Sequence, residues 1–567
     1  MRYWLLILAV GFQVACRQTP GSAPYPINKM ATADHAMVVS AHPLATAAAL
    51  KILQAGGNAV DAAIANQFAL AVVYPRAGNI GGGGFLILRL ADGSSYALDY
   101  REKAPERAFR DMYLDEAGEI IPEKSLLGHQ APGVPGTVAG LFEAHQRYGK
   151  IQEFGTLLAP AIRLAEEGFY ISQAEADRLN KYLPEMQVPN TQANAFTEKT
   201  QWQPGDLLRQ PDLAATLRRI QQDGRAGFYE GRTADLIVEE MQRGGGLISH
   251  ADLQAYQATW RTPVTGDFLN YRIISMPPSS SGGTTLLQVL KMLEPRLPEQ
   301  PRYAEPQLAH LMVECMRRAY RDRALFLGDS DHYPVPLDSL LSKPYLDNLM
   351  ADYDPAHATD SDSLFAEFQV LMESFETTHS SIVDPAGNAV SLTTTINSNY
   401  GSKLLVGGAG FFLNNEMDDF SLKPWTPNQY GLIGTEANAI APGKRMLSSM
   451  TPTIVEENGK LKLLLGTPGG STIITSVMQV ILNHLLFQMP LEAAVAAPRF
   501  HHQWLPNEIW YEEGGFDSTF LRQLETRGHA LLEKKAIAKV KAITVLPDGR
   551  LQGVGDPRQD DDHAAGF

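Results

Sequence analysis

Two cysteines, Cys16 and Cys315, are all that the 567 residues contain. No framework of disulfides can staple the chain, so packing has to hold it. If Cys16 is lipidated or cut away, Cys315 has no partner within the chain. Long apolar runs are missing as well. Beyond the first residues no segment reaches the roughly 20 apolar residues that a membrane-spanning helix needs. Basic charge is in deficit, with 48 Lys and Arg against 63 Asp and Glu and a net charge of −15. That balance excludes nucleic acid as a partner, because phosphates need a basic face. Several catalytic signatures are also absent: no G-x-S-x-G elbow, no S-x-x-K with its partner motifs, no H-E-x-x-H. His501 and His502 are adjacent, so on a strand they point apart and cannot chelate one ion together. Nothing here indicates a metal site.

What is present is ordinary globular composition, 44% hydrophobic and 20% charged. The length exceeds one simple core and predicts several domains or one large α/β body with insertions. The first residues, MRYWLLILAVGFQVAC, carry an early arginine and an apolar stretch from Tyr3 to Phe12. This stretch is too short to span a bilayer and reads as a signal-peptide core. Ala15-Cys16 resembles a bacterial lipoprotein cleavage site, with Gln13 where that pattern has leucine. A plain signal peptide cut near Ala23 is the other reading. Either way the chain is expected to be exported to the bacterial periplasm, with residues 1–26 as signal and tether. Lipid at Cys16 would attach it to a membrane.

Residues 43–74 read as two helices separated by the stop-and-restart AGGN at Ala55–Asn58. FLILRL and SYALDY read as strands around the turn ADGS. The glycines Gly81–Gly84 precede a strand instead of following one, so a phosphate loop is rejected and close backbone packing is predicted. From about residue 130 to 365 the patterns are mostly helical. They include LAHLMVECMRRAYRDRALFLG, whose apolar positions Leu308, Leu311, Met312 and Cys315 make Cys315 a buried structural thiol. From Thr377 the texture changes to strands. Ser380–Asp384 and Ala389–Asn397 flank the turn PAGN, PTIVEE and KLKLLLG flank ENG, and Ser471–Leu486 reads as one long apolar helix.

Thr377 and Thr378 stand at that seam, in ESFETTHSSIVDPAGNAV. A threonine hydroxyl is a poor nucleophile without a base. Its own α-amino group can serve, but only if threonine begins a chain. A free α-amine has a pKa of roughly 7.7–8.0, so a useful fraction is neutral near physiological pH. Thr377 would become such a residue if the bond after Glu376 were cut. Periodicity alone does not show that cut.

The linked motifs do more. TTHSSIVDPAGNAVSLTTTINSNYG, GGAGFFLNNEMDDFS, LSSMTPTIV, GTPGGSTIIT and APRFHHQWLP, with HPLATAAALKILQAGGNAVDAAIA and LDYREKAPERAFRDMYLD upstream, together resemble the γ-glutamyltransferase (γ-glutamyltranspeptidase) family. The resemblance runs from about Ala36 to Phe567. It implies a layered α/β (α+β) fold, the four-layer αββα sandwich of N-terminal-nucleophile hydrolases. It implies self-cleavage between Glu376 and Thr377 into a large subunit, 27–376, and a small catalytic subunit, 377–567. By the same resemblance Thr377 is the nucleophile and Thr395 positions it. Asn397, Glu416 and Asp419 hold the donor's α-amino group, and Arg101, Ser448 and Ser449 hold its α-carboxylate. Gly469 and Gly470 form the oxyanion hole, and Tyr430, in the loop KPWTPNQYGLIG, shields the site as a lid. The implied substrates are γ-glutamyl compounds such as glutathione, with water, an amino acid or a dipeptide as acceptor, and no metal or organic cofactor.

These residue types suit that chemistry. A glutamyl α-carbon carries one cation and one anion, so its pocket should pair carboxylates with an arginine fork and hydroxyls. GTPGGS lies between a strand and a helix, where backbone N–H groups are free to face an oxyanion. His379 is expected to be structural. Two rival functions are a β-lactam (glutaryl) acylase of the same superfamily, which needs no α-amino pocket, and an exported solute-binding lipoprotein.

Overall fold

The computed structural model describes residues 25–361 and 377–567. Cys16 and Glu376 lie outside the described residues, as does the signal segment. Two seven-stranded sheets form the centre. One runs in the order His563–Gly566, Met37–Ser40, Thr377–Val383, Ala389–Thr395, Gly83–Arg89, Ser95–Asp99 and Thr259–Arg261. The other runs Met30–Ala33, Leu551–Gly555, Lys541–Val545, Lys460–Gly466, Thr453–Glu457, Tyr271–Ser275 and Val264–Phe268. Every ladder within these two sheets is antiparallel.

The side-chain alternation of a strand builds the layers. Val39, Phe85, Ile87, Ile274, Ile454, Leu464 and Ile543 point into the space between the sheets. Their neighbours Val38, Leu86 and Leu88 pack against the first set of helices, which includes Pro43–Gln54 and Ala59–Val73. On the other sheet, Ile273, Val455, Leu463 and Leu465 pack against Gly282–Leu293, Pro306–Phe326 and Ile473–Ile481. Helices therefore cover both outer faces, giving the expected four layers. Strands buried on both faces need apolar residues at every position, which explains runs such as FLIL and LLL.

Three expectations change. Thr259–Arg261, Val264–Phe268 and Tyr271–Ser275 are strands inside the region read as helical. Thr259–Arg261 and Val264–Phe268 lie at sheet edges, where half-buried side chains blur the alternation, while Tyr271–Ser275 is paired on both sides and is too short to show a clear period. The apolar helix after GTPGGS is not uniform. It opens with a 3-10 turn, Gly470–Thr472, continues as α-helix over Ile473–Ile481 and ends as a π-turn over Leu482–Leu486. Finally, Thr377 and Thr378 do not precede the hairpin; they are its first two residues, and Thr377 pairs with Thr395.

The glycine run behaves as close packing predicts. A Cβ on Gly81 or Gly82 would come within 2.1 Å of the carbonyl oxygens of Phe412 and Thr395, respectively. Cys315 is fully buried in its helix, and burial pushes its thiol up to about 12. Among the described residues no helix is long and apolar enough to cross a membrane.

Candidate active site

The start of the Thr377–Val383 strand opens into a narrow cavity. Thr377, Thr395, Asn397, Arg101, Glu416, Asp419, Tyr430, Ser448, Ser449 and Gly470 all line it. Gly469 adjoins Gly470 but does not line the cavity. Residues more than 300 positions apart in sequence thus converge on one threonine.

Strand register fixes the first contact. Thr377 Oγ1 donates to Thr395 Oγ1 over 3.5 Å, a long bond. Thr395 Oγ1 also accepts the Asn397 backbone N–H at 2.7 Å, and its carbonyl accepts from Asn79 Nδ2 at 2.9 Å. Thr395 is therefore held on two sides. His379 is not a base for this site. Its ring nitrogens meet Thr393 Oγ1 at 2.8 Å and Ser381 Oγ at 3.1 Å. Burial drives its pKa well below the ordinary value, which suits a structural residue.

The turn expected to form the oxyanion hole is built by glycine conformation. Gly469 has φ of +147° and Gly470 of +54°, both in the region that disfavours side chains. The first N–H groups of the following helical turn are left free by helix geometry. Tyr320, on the Pro306–Phe326 helix, donates its hydroxyl to the Ser471 carbonyl and fixes the turn from behind.

The charged side of the cavity is crowded. Arg101 bonds Asp419 directly and Glu416 at 2.9 Å, with Glu102 at 3.6 Å. Burial raises the pKa of Glu416 far above the carboxylate range and that of Glu102 to about 8, and it raises Asp419 too, with Arg101 opposing in each case. One guanidinium does not neutralise three carboxylates, two of them fully buried, so protons are retained in this cluster. The expected α-amino residues and the expected carboxylate arginine are thus in contact with one another. Ser448 Oγ accepts the Met450 N–H at 3.1 Å, and Ser449 Oγ accepts from Arg323 at 3.2 Å.

The loop expected to act as a lid lies against this group. Tyr430 is buried, and its hydroxyl donates to the carbonyl and the side-chain oxygen of Asn397. Gln429 N–H donates to Asp418 Oδ2 at 3.2 Å, and Gln503 Nε2 to the Tyr430 carbonyl at 3.1 Å. Asp418 is buried as well, and Ser125 Oγ donates to it at 2.8 Å.

Sequence reading missed Arg323, Tyr320 and Glu102. Glu102 follows Arg101 directly. Arg323 had a signal, since Leu311, Cys315, Ala319 and Arg323 recur every four residues and put a cation on the buried stripe of the helix. Among the described residues one group has metal-ligand spacing: His310, Glu314 and His529, with ligand atoms within 4.8 Å of one another. Glu314 is already paired with Arg317 at 3.3 Å and Arg318 at 2.6 Å, and His310 and His529 bond each other at 2.7 Å. Two guanidiniums beside the carboxylate oppose a cation there.

Comparison with known proteins gives the family and the fold. A family model described as gamma-glutamyltranspeptidase matches residues 45–566. The glutathione hydrolase proenzyme of Escherichia coli (strain K12) is 44% identical over 538 residues, covering 94% of this chain and 92% of that protein. Among solved structures, cephalosporin acylase from Bacillus halodurans superposes with a TM-score of 0.83 at 27% identity, covering 97% of this chain and 99% of that one. Helicobacter pylori gamma-glutamyltranspeptidase gives a TM-score of 0.55 at 42% identity, covering 59% of this chain and 95% of that one. Fold and likeness define the class as N-terminal-nucleophile hydrolase. Within that class, the chain belongs to the γ-glutamyltranspeptidase family.

Proposed function

We propose that this chain cleaves itself between Glu376 and Thr377 and then acts as a γ-glutamyltransferase and hydrolase on glutathione and related γ-glutamyl compounds. The observation that carries the reading is Thr377 at the head of a buried strand, sharing one cavity with two arginines, two carboxylates, two serines and the Gly470 turn. The names of its relatives support the choice of glutathione.

In processing, Thr377 Oγ attacks the Glu376 carbonyl carbon, and the peptide C–N bond gives way to an ester. Water opens the ester, leaving a carboxylate on Glu376 and a free α-amine on Thr377. The subunits are then 27–376 and 377–567. In turnover, Thr377 Oγ attacks the donor's γ-amide carbonyl while its α-amine takes the proton. The oxyanion develops against the N–H groups of Gly469 and Gly470. Collapse expels the amine, which receives that proton, and leaves a γ-glutamyl-threonine ester. Water, or the amine of an amino acid or dipeptide, releases the glutamyl group. Thr395 orients the nucleophile. Asn397, Glu416 and Asp419 hold the α-ammonium, Arg101, Ser448 and Ser449 hold the α-carboxylate, and Tyr430 closes the site.

A glutaryl acylase would share nucleophile and fold. Its substrate has no α-amino group, so it would have no use for Glu416 and Asp419 at the cavity wall. The direct test is Thr377→Ala. Turnover of a γ-glutamyl anilide should fall on the order of a million-fold, as in other nucleophile deletions. Substantial activity in this variant would place the nucleophile elsewhere.

Export to the periplasm and lipid attachment at Cys16 complete the proposal. More than one acyl chain gives stable anchoring. The wild-type protein should then partition with membranes and Cys16→Ser should not. A wholly soluble wild-type protein would favour the plain signal peptide.

A further inference from the structure

Two arginines line the cavity, and they are not alike. Arg101 is surrounded by carboxylates. Arg323 is buried to 5% exposure and, among the described residues, has no carboxylate within ion-pairing distance. Its bonds go to serines instead. Nε donates to Ser281 Oγ at 3.0 Å and Nη2 to Ser449 Oγ at 3.2 Å. The remaining terminal nitrogen, Nη1, has no hydrogen-bond partner among the described residues. An uncompensated buried charge is costly, so a fold that keeps one has left a place for an anion.

The serine contacts show what that anion meets. A hydroxyl has one proton and two acceptor lone pairs. Arg323 occupies an acceptor position of Ser449, which leaves that O–H to donate. Ser281, bonded by Arg323 Nε, passes its own proton to the Ser448 carbonyl at 2.7 Å and also donates its backbone N–H to it at 2.8 Å. The Met450 N–H takes an acceptor position of Ser448 Oγ. Both serines are therefore locked from behind and present donors, which suit a carboxylate and not an ammonium. Arg323 lies one helical turn beyond Tyr320, which fixes the glycine turn.

We propose that Arg323 is a positioning and specificity residue of the donor site: it aims the Ser448 and Ser449 hydroxyls at the donor's α-carboxylate and adds the positive charge that this carboxylate balances. Burial lowers its pKa to about 10, with Arg101 adding to the effect and Asp419 opposing it, so the group stays charged at neutral pH.

This inference rests on the γ-glutamyl reading, and its test separates the two. The donors are three anilides: γ-glutamyl, with both α-groups; glutaryl, with the carboxylate alone; and 4-aminobutyryl, with the amine alone. The proteins are wild type, Arg323→Gln, Arg323→Lys and Arg101→Gln, each checked for self-cleavage on a gel. Arg323→Gln should lower kcat/KM roughly ten- to a hundredfold for the first two donors, mainly through KM, and leave the third within about threefold. Arg323→Lys, which keeps the charge without the fork, should show the same order of donors with a smaller loss. Equal losses on all three donors, no loss, or failure of both Arg323 variants to process would overturn the inference. If Arg101→Gln discriminates among donors and the Arg323 variants do not, only this inference falls. If neither residue discriminates, the pocket reading falls as well.

Discussion

Arg101 donates directly to Asp419, although the two are assigned to opposite charges of one donor. A zwitterion offers each of them a new partner: its ammonium suits Asp419 and Glu416, and its carboxylate suits Arg101. Donor binding on this account exchanges an internal ion pair for two external ones, and little net charge is stranded at any stage. The pair also makes the two residues separable by experiment.

Asp419→Asn should weaken turnover of a γ-glutamyl anilide while sparing or improving that of a glutaryl anilide. Loss of one charged hydrogen bond costs roughly 1.5–3 kcal/mol, or about ten- to a hundredfold in kcat/KM. Arg101→Ala should damage both substrates. Steady-state kinetics on the processed variants decide it, and an equal loss on both substrates in Asp419→Asn would make Asp419 a structural residue.

Tyr430, the proposed lid residue, is tied to Asn397, whose own backbone sits at φ +73°. Tyr430→Phe removes the hydroxyl and keeps the ring. A neutral hydrogen bond contributes about 1 kcal/mol, so KM for the donor should rise about fivefold with self-cleavage intact. An unchanged KM would remove Tyr430 from the donor site.

Asp418 makes a prediction about stability. Burial pushes its pKa up to about 6, against the ordinary 3.8 that it regains on unfolding. Between those values the folded protein holds a proton that the unfolded chain has released. Stability from this group is thus fully present below about pH 4 and is lost as pH rises through about 6. Denaturant melts at pH 4, 5 and 6 should show a shallower fall for Asp418→Asn than for wild type. Parallel curves would mean that Asp418 ionises normally.

Much of the site was legible because each motif carries its chemistry in a short stretch. DYREKAP, NNEMDDF, LSSM and GTPGG were singled out through the family resemblance, and Arg101, Glu416, Asp419, Ser448, Ser449 and Gly470 from them do line one cavity. The hairpin was clear from alternation around PAGN, although its first strand begins at Thr377 and not at Ser380, and its second ends at Thr395 and not at Asn397. The short strands within 259–275 were not legible, because three to five residues give too little alternation to set against the surrounding helical patterns. Arg323 escaped for another reason. Its meaning lies in Ser281 and Ser449, which are 42 and 126 positions away. The ion pair between Arg101 and Asp419 spans 318 positions. No periodicity reports such partners.

The central claim is that Thr377 becomes the first residue of a chain and then acts as the nucleophile. N-terminal sequencing of the bands from purified active protein on a denaturing gel tests it most directly. The account predicts two bands from the 62.1 kDa chain, the smaller beginning Thr-Thr-His-Ser-Ser, and one unprocessed band for Thr377→Ala. A fully active enzyme that runs as one intact band, or a small subunit beginning at any other residue, would contradict it.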